Sequence, residues 1–474
     1  MQANRLNQRR PVRLLLPIVV LVLGLKACRQ TPHLTEQGVA TAWADLTLLV
    51  TKTTPANTPT YASRCLGYMG LTMYESVVPA YPDYQSLTGV QLNGLAPILP
   101  PKQPINAVLA LNAGQAYLLK HLYNQTSDDN KRRIDSLEQL VYRQFSSTLA
   151  NRAAVKPSVD FGRLVAERVF TWSQSDGGHR AYLKNFDKGM KHPERLGCWQ
   201  PPLYAQSFSH HPLHPHWGQN RPFVPADARI PAPAFIPYDT AANSPYFQQH
   251  KAVYEQEKTL TQAQKECAIW WSDDPDETFT PPGHSYHIAT LVLRKLNPPL
   301  IRCAETYARV GMAVADAFIN CWKWKYQFFS ERPNTFVPKH IDPQWNSFWP
   351  DPPFPAFPSG HAIQAAATAT VLTDLYGSNV SFTDSAHVGR PRDRLRNTDF
   401  KARHFTSFWQ VAEETANSRF YGGIHTPQDN AAGLAKGRTI GEQINALAWR
   451  REAPGRAGSP MRAVRSDLAT SKSH

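Results

Sequence analysis

Cysteine, acidic residues and long apolar runs are all scarce in this 474-residue chain. It has six cysteines, and none forms a C-x-x-C pair. The five cysteines beyond Cys28 are an odd number, so at least one thiol is free. Most of them are expected to be small buried side chains. Hydrophobic residues make up 42% of the chain and aromatic residues 11%, which excludes a disordered protein. The mean hydropathy of −0.43 and the single long apolar run exclude a protein with several membrane spans.

Acidic side chains are outnumbered by basic ones, 37 against 51, which gives a formal net charge of +14. A moderate positive charge favours an anionic substrate. The basic residues form no dense stripe along the chain, so a nucleic-acid partner is not predicted.

The long apolar run, Leu14 to Leu25, follows a basic start and is too short to span a bilayer. It fits the hydrophobic region of an export signal. Residues 25–28 resemble a bacterial lipoprotein cleavage site, although Lys26 is atypical there. We therefore predict a signal segment over residues 1–27, with Cys28 as the lipidated first residue of a protein in the periplasm or cell envelope. Simple secretion and an uncleaved anchor stay open.

Helical periodicity dominates the remaining sequence, and no run shows the steady alternation of a strand. The predicted fold is therefore all-α, with helical bundles and long proline-rich loops. Helices are predicted at 105–123, 128–145, 159–172, 263–271, 284–295, 301–328, 359–376, 405–420 and 428–447.

Residues 177–245 interrupt this helical pattern and divide the chain. They hold eleven prolines from Pro193 onward and are expected to form a functional loop or a wall of the site. An N-terminal helical region is predicted over 28–250, a C-terminal oxyanion-binding domain over 251–450 and a flexible tail over 451–474.

Four histidines of the interruption have no cysteine or acid to complete a ligand set, so a solvated loop is predicted there in preference to a metal site. They are His210, His211, His214 and His216.

The first segment with a chemical signal is Lys325, followed seven residues later by Arg332 and Pro333. Seven residues are close to two helical turns, so both cations can lie on one helix face. Proline disfavours helix at the residue before it, which places Arg332 at a helix end. Two such cations can hold an oxyanion, and an ordinary solvated basic face is the alternative.

The second segment is Ser359-Gly360-His361, which comes directly before an apolar run. Ser359 can cap the helix that follows, and Gly360 lets backbone N–H groups approach a ligand closely. The free N–H groups of a helix N-terminus form an anion site, where His361 would serve as an acid/base group. A plain cap with a surface histidine is the alternative.

The third segment contains Arg419, His425 and Asp429. Arg419 adds a third cation. Asp429 lies four residues after His425 and, in a helix, can accept the N–H of one ring nitrogen, which leaves the other nitrogen free to attack or to ligate. A helix that stops at Gly422-Gly423 is the alternative.

Together these segments resemble the superfamily of type 2 phosphatidic acid phosphatases and vanadium-dependent haloperoxidases. Residues 56–64 and 280–284 extend the similarity to soluble bacterial haloperoxidase-like proteins. The resemblance implies helical bundles around a central vanadate, for which phosphate competes, and neither haem nor nucleotide. The residues that would bind the oxyanion's oxygens are Lys325, Arg332, Ser359, Gly360 and Arg419.

The resemblance also implies roles for the remaining residues. His361 would be the acid/base group. His425, held by Asp429, would bond the vanadium or attack phosphorus. Asp274 would pair with the arginine of the third segment, with Asp273 nearly as good a candidate.

Two enzymes are compatible with this resemblance. A haloperoxidase would use hydrogen peroxide, halide and an organic acceptor, with Lys325 polarising the peroxide. A soluble acid phosphatase would cleave a phosphate ester through a phospho-histidine at His425. Residues 353–361 resemble soluble chloroperoxidases, and Trp322 with Phe354 can form a dry halide pocket, although core packing explains them equally well. We therefore predict the haloperoxidase; a non-catalytic, lipid-anchored binding protein is the alternative from a different class.

Overall fold

The computed structural model describes residues 33–451 except for 203, 208 and 276. Residues 1–27, Cys28 and the tail from 452 onward lie outside this part. The described residues contain thirteen α-helices and one antiparallel pair of three-residue strands, so the all-α prediction is confirmed. The helices are α1 (Glu36–Thr53), α2 (Pro59–Val77), α3 (Ala107–Leu122), α4 (Asp128–Thr148), α5 (Val155–Ser173), α6 (Pro245–Lys258), α7 (Gln262–Trp270), α8 (Thr280–Leu296), α9 (Leu300–Phe328), α10 (Pro333–His340), α11 (Gly360–Tyr376), α12 (Phe408–Tyr421) and α13 (Pro427–Asn445). The strands are β1 (Phe382–Asp384) and β2 (Arg403–Phe405).

Among these helices, none is both long enough and apolar enough to cross a bilayer.

The central helix is α9, which is buried along most of its 29 residues. Helix α2 packs against it at close range, because a Cβ on Gly70 would lie 2.2 Å from the carbonyl oxygen of Tyr307. The two helices come from opposite sides of the division predicted between residues 250 and 251, and that division stays a prediction. The C-terminal turn of α9 carries Lys325 towards the centre of the molecule.

Helices α11 and α13 approach each other along a line of glycines in α13. A Cβ on Gly437 would lie 2.1 Å from the carbonyl oxygen of Ile363 in α11. This close packing brings the starts of the two helices together, and the backbone N–H of Ser359 donates to the carbonyl of Asp429 at 3.0 Å. The second and third sequence segments therefore meet.

The proline-rich segment is mostly irregular, with short 3-10 turns. The prediction of a solvated histidine loop is wrong for His214, which is buried, stacks on Trp217 and faces Asn185 at 2.9 Å. The five cysteines of the described residues are free and buried, which confirms their predicted packing role.

Candidate active site

A cavity of about 450 Å³ is lined by residues of the second and third segments, whereas Lys325 and Arg332 of the first segment are not among its lining residues. The proline-rich segment supplies part of its wall, as predicted, through Gln206, Ser207 and Leu213. Its lining includes the predicted site residues Trp322, Phe354, Gly360, His361, Arg419 and His425.

Lys325 and Arg332 are held in place by backbone carbonyls. The Nζ of Lys325 donates to the carbonyl of Pro355 at 2.9 Å and to that of the next residue at 2.6 Å. Arg332 is the N-cap residue of α10 and donates to the carbonyls of Phe354 at 3.0 Å and Ile424 at 2.8 Å. Both cations are buried. Carbonyl dipoles orient these charges but do not neutralise them.

Arg419 lies in the last turn of α12 and is also buried. Its Nη1 donates to the carbonyl of Trp271 at 3.1 Å, whereas its Nε and Nη2 have no hydrogen-bond partner among the described residues. A buried guanidinium with unused donors is costly unless a ligand accepts from them.

The predicted carboxylate partner of Arg419 is not in ion-pair contact with it among the described residues. Asp274 instead accepts from Gln206 at 2.9 Å, although its charge opposes the effect of burial on the pKa of Arg419. Asp273 is engaged elsewhere, because its two oxygens face His284 and His387. Asp274 is therefore the better placed of the two acids to act on Arg419.

The second segment begins α11 as predicted. Ser359 is the N-cap residue, and its hydroxyl accepts from the backbone N–H of Ala362 at 3.4 Å. Gly360 is the first helical residue and lines the cavity. The Nε2 of His361 has no partner within the described residues. Burial, and next the charge of Arg419, hold the pKa of His361 well below its ordinary value, so the imidazole is neutral at pH 7.

His425 and Asp429 adopt the predicted relationship. The Nδ1 of His425 donates to Oδ2 of Asp429 at 2.9 Å, and the same oxygen accepts from the backbone N–H of Thr426 at 3.0 Å. A carboxylate accepts only, so the proton sits on Nδ1 and the lone pair of Nε2 is free. His425 therefore presents a nucleophilic nitrogen next to the cavity that it lines.

The site is rich in positive charge, and buried carboxylates act on its cations without forming ion pairs: Asp429 on Lys325 and Arg332, and Asp274 on Arg419. Burial lowers the pKa of Lys325, Arg332 and Arg419, the last to about 10. Burial and then the charges of these three cations hold the pKa of His425 well below its ordinary value. None of the three cations forms an ion pair with a carboxylate in the described part of the chain. The arrangement can bind a small oxyanion and place it beside a histidine nitrogen.

Trp322 and Phe354 form one apolar wall of the cavity. Their ring centroids are 4.9 Å apart, and the Nζ of Lys325 lies 5.2 Å from the centroid of Phe354. The indole N–H of Trp322 donates to the carbonyl of Leu213 at 3.1 Å, so no polar group of this ring faces the cavity unpaired.

The groups that sequence reasoning missed are of two kinds. Backbone carbonyls hold the cations, and a sequence pattern carries no information about their direction. A buried network of Asp273, His284, Asp384 and His387 lies beside the site, and its members are up to 114 residues apart. Two sequence signals pointed to this region, the similarity noted for residues 280–284 and the candidate acid Asp273.

This helical architecture, with a cation-rich and partly apolar cavity, matches known proteins over most of the chain. The family model of the VCPO second helical-bundle domain matches residues 305–451, which include all three segments. Vanadium chloroperoxidase from Curvularia inaequalis is 31% identical over 172 residues, and this match spans 27% of the present chain and only 28% of the fungal protein.

Two solved structures extend the match. A bacterial vanadium-dependent iodoperoxidase is 30% identical with a TM-score of 0.74, and the match covers 89% of this chain and 98% of that protein. A bacterial vanadium-dependent chloroperoxidase shares the fold at 16% identity, with a TM-score of 0.60 over 83% and 94% of the two chains. The chain belongs to the vanadium-dependent haloperoxidase family.

Proposed function

We propose that this protein binds vanadate in the cavity and oxidises a halide with hydrogen peroxide and one proton, giving hypohalous acid and water. The observation that supports this most directly is the set of three buried cations, Lys325, Arg332 and Arg419, with no carboxylate ion pair among the described residues. An oxyanion supplies the missing negative charge. The iodoperoxidase relative makes iodide the first halide to test.

The side chains fit vanadate by their unused hydrogen-bonding groups. Arg419 has two free donors, and the N-terminus of α11 at Gly360 offers backbone N–H groups. With Lys325, Arg332 and Ser359 these groups would hold the oxygens, and the free Nε2 of His425 would bond the vanadium. Bound vanadate would supply a centre that activates peroxide for attack by halide.

The remaining residues act on protons and on solvent. His361 is neutral with an unpartnered Nε2, so it can take a proton from incoming hydrogen peroxide. Lys325 places positive charge beside the apolar wall of Trp322 and Phe354. That wall excludes water, which strengthens the interaction between the lysine and a developing negative charge. Water therefore competes little with a halide that binds next to the wall.

The test is a comparison of two reactions in the purified protein. With vanadate, hydrogen peroxide and iodide, bromide or chloride, we expect halide oxidation that depends on vanadate. Phosphate should slow the reconstitution of the protein by vanadate, because charge alone distinguishes two tetrahedral oxyanions poorly. Hydrolysis of a phosphate ester without vanadate, with vanadate acting only as an inhibitor, would instead identify an acid phosphatase.

His425→Ala provides the matched variant for this test. Loss of the free nitrogen should weaken vanadate binding by more than about 100-fold, beyond the range for outer partners of a metal ligand. Calorimetry on the metal-free protein measures this directly. His404→Ala, an exposed histidine outside the cavity, should bind as the parent does. Unchanged vanadate affinity in His425→Ala would refute the assignment.

A further inference from the structure

A buried chain of four ionisable side chains lies beside the cavity. The Nδ1 and Nε2 of His284 lie 2.8 Å from Oδ2 of Asp273 and 2.8 Å from Oδ2 of Asp384, respectively. The second oxygen of Asp273 lies 2.9 Å from Nε2 of His387. All four residues are at most 2% exposed.

Both nitrogens of His284 carry protons. Each faces a carboxylate oxygen, which can only accept, so a lone pair on either nitrogen would point at negative charge. Against the cost of burial, the charges of Asp273 and Asp384 raise the pKa of His284 to about 10. Asp384 is held in turn by the indole N–H of Trp270 at 2.9 Å and by the backbone N–H of Ala386 at 3.0 Å.

The network holds a short segment that lines the cavity at residues 272–274 and meets the site through one hydrogen bond. Asp273 has φ +48°, a left-handed conformation that aspartate enters more readily than most non-glycine residues. On either side of it, the carbonyl of Trp271 accepts from Arg419 at 3.1 Å and the charge of Asp274 acts on the same arginine. The carbonyl of Ser272 favours the protonated form of His361.

We propose that Asp384, His284, Asp273 and His387 form a positioning network that holds residues 271–274 against Arg419 and His361 and so prepares the oxyanion site. This inference rests on the proposed function. Asp273 lines the cavity, whereas His284, Asp384 and His387 do not. All four act on the oxyanion site by holding residues 271–274, so they are positioning residues. It also ties the site to the segment between α11 and α12, which contains Asp384 and His387.

Asp273→Asn tests the network with little risk to the fold, because asparagine tolerates the left-handed conformation and has the same shape. We expect vanadate affinity of the metal-free protein, measured by calorimetry, to fall about tenfold or more, as for outer partners of other sites. Nitrogen NMR of His284 should show two protonated ring nitrogens near pH 8 in the parent and one in the variant.

Glu305→Gln is the matched control. Glu305 is also buried, and its two oxygens accept from Arg302 and Arg309. It lies twenty residues before Lys325 on α9, roughly 30 Å along the helix at the usual rise. The control should lose stability and keep the parent's vanadate affinity.

The outcomes separate the two proposals. Failure of the parent to bind vanadate overturns the proposed function. Parent-like binding by Asp273→Asn, with stability lowered as in the control, overturns the network's positioning role. A neutral His284 in the parent would overturn the doubly protonated state assigned to this histidine. A stoichiometric divalent metal that Asp273→Asn loses would also overturn it, because Asp273, His284 and His387 would then act as ligands.

Discussion

Lys325 is the residue whose binding and chemical roles can be separated most directly. Two arginines still hold the oxyanion without it, but the peroxide would lose its cationic partner. In Lys325→Met we therefore expect vanadate affinity to fall less than the rate of halide oxidation, which should drop about 100-fold, as for loss of one preorganised donor. Steady-state kinetics and calorimetry on the same preparation measure both.

The control for this change is Lys323→Met, an exposed lysine two residues earlier on α9 that donates to the carbonyl of Ala228. It should leave both quantities unchanged. Full halide oxidation by Lys325→Met would remove the role given to Lys325.

A second residue-scale feature is the pair of buried carboxyl groups Asp227 and Asp316, neither of which is exposed. Asp316 accepts from the backbone N–H groups of Phe223 at 2.8 Å and Val224 at 3.0 Å. Burial, and then the charge of Asp316, raise the pKa of Asp227 far above its ordinary value. Asp227 is therefore protonated in the folded protein near neutral pH.

The sign of the pH dependence follows from this raised pKa. The contribution of Asp227 to stability is complete below its unfolded pKa, near 4, and is lost as pH rises towards its folded pKa, with a slope of at most about 1.4 kcal/mol per pH unit. Between about pH 5 and about pH 9, the free energy of unfolding of Asp227→Asn should therefore fall less than that of the parent. Denaturant titrations at each pH measure this free energy. Asp83→Asn, at an exposed position, serves as the control. Parallel plots of unfolding free energy against pH for Asp227→Asn and the parent would contradict the prediction.

At the scale of elements, the contact between α11 and α13 determines whether the second and third segments meet. Gly437→Ala would place a methyl group against the carbonyl of Ile363, so we expect a loss of about 1–3 kcal/mol in unfolding free energy and weaker vanadate binding. Chemical denaturation and calorimetry test both effects. Ala435→Ser, at an exposed position of the same helix, should change neither the unfolding free energy nor the vanadate affinity. A Gly437→Ala protein with the stability and vanadate affinity of the parent would refute the role given to this helix contact.

How far the sequence predicts each element depends on how that element is buried. Helix α9 was predicted within one residue at its start, because its apolar residues repeat with helical period. Helix α2 was missed since all but its first residue are buried, which removes the polar face that marks an amphipathic helix. The strands β1 and β2 have three residues each, too few to show alternation.

The same reasoning applies to the site. Local spacing predicted the contact between His425 and Asp429, although His425 precedes the N-cap of α13 and only Asp429 lies in the helix. The bond between His284 and Asp384 joins residues 100 apart, and no local pattern can indicate it. Long-range partners of this kind depend on packing that only the folded chain defines.

At the scale of the whole molecule, the described fold begins near Leu34, a few residues after the proposed lipidation site at Cys28. The basic start and the apolar run over 14–25 favour export, and acyl chains on Cys28 would keep the enzyme at a membrane surface, since two or more chains are needed for stable attachment. We therefore expect protein isolated from its native host to begin at Cys28 and to carry the added mass of lipid. Mass spectrometry of the intact protein tests this. Cys28→Ser should release the protein from the membrane fraction while keeping parent vanadate affinity, because the residues that would hold vanadate lie between Lys325 and Asp429 in the sequence. A cytoplasmic protein that starts at Met1 would contradict the export prediction and leave the assignment of the site untouched.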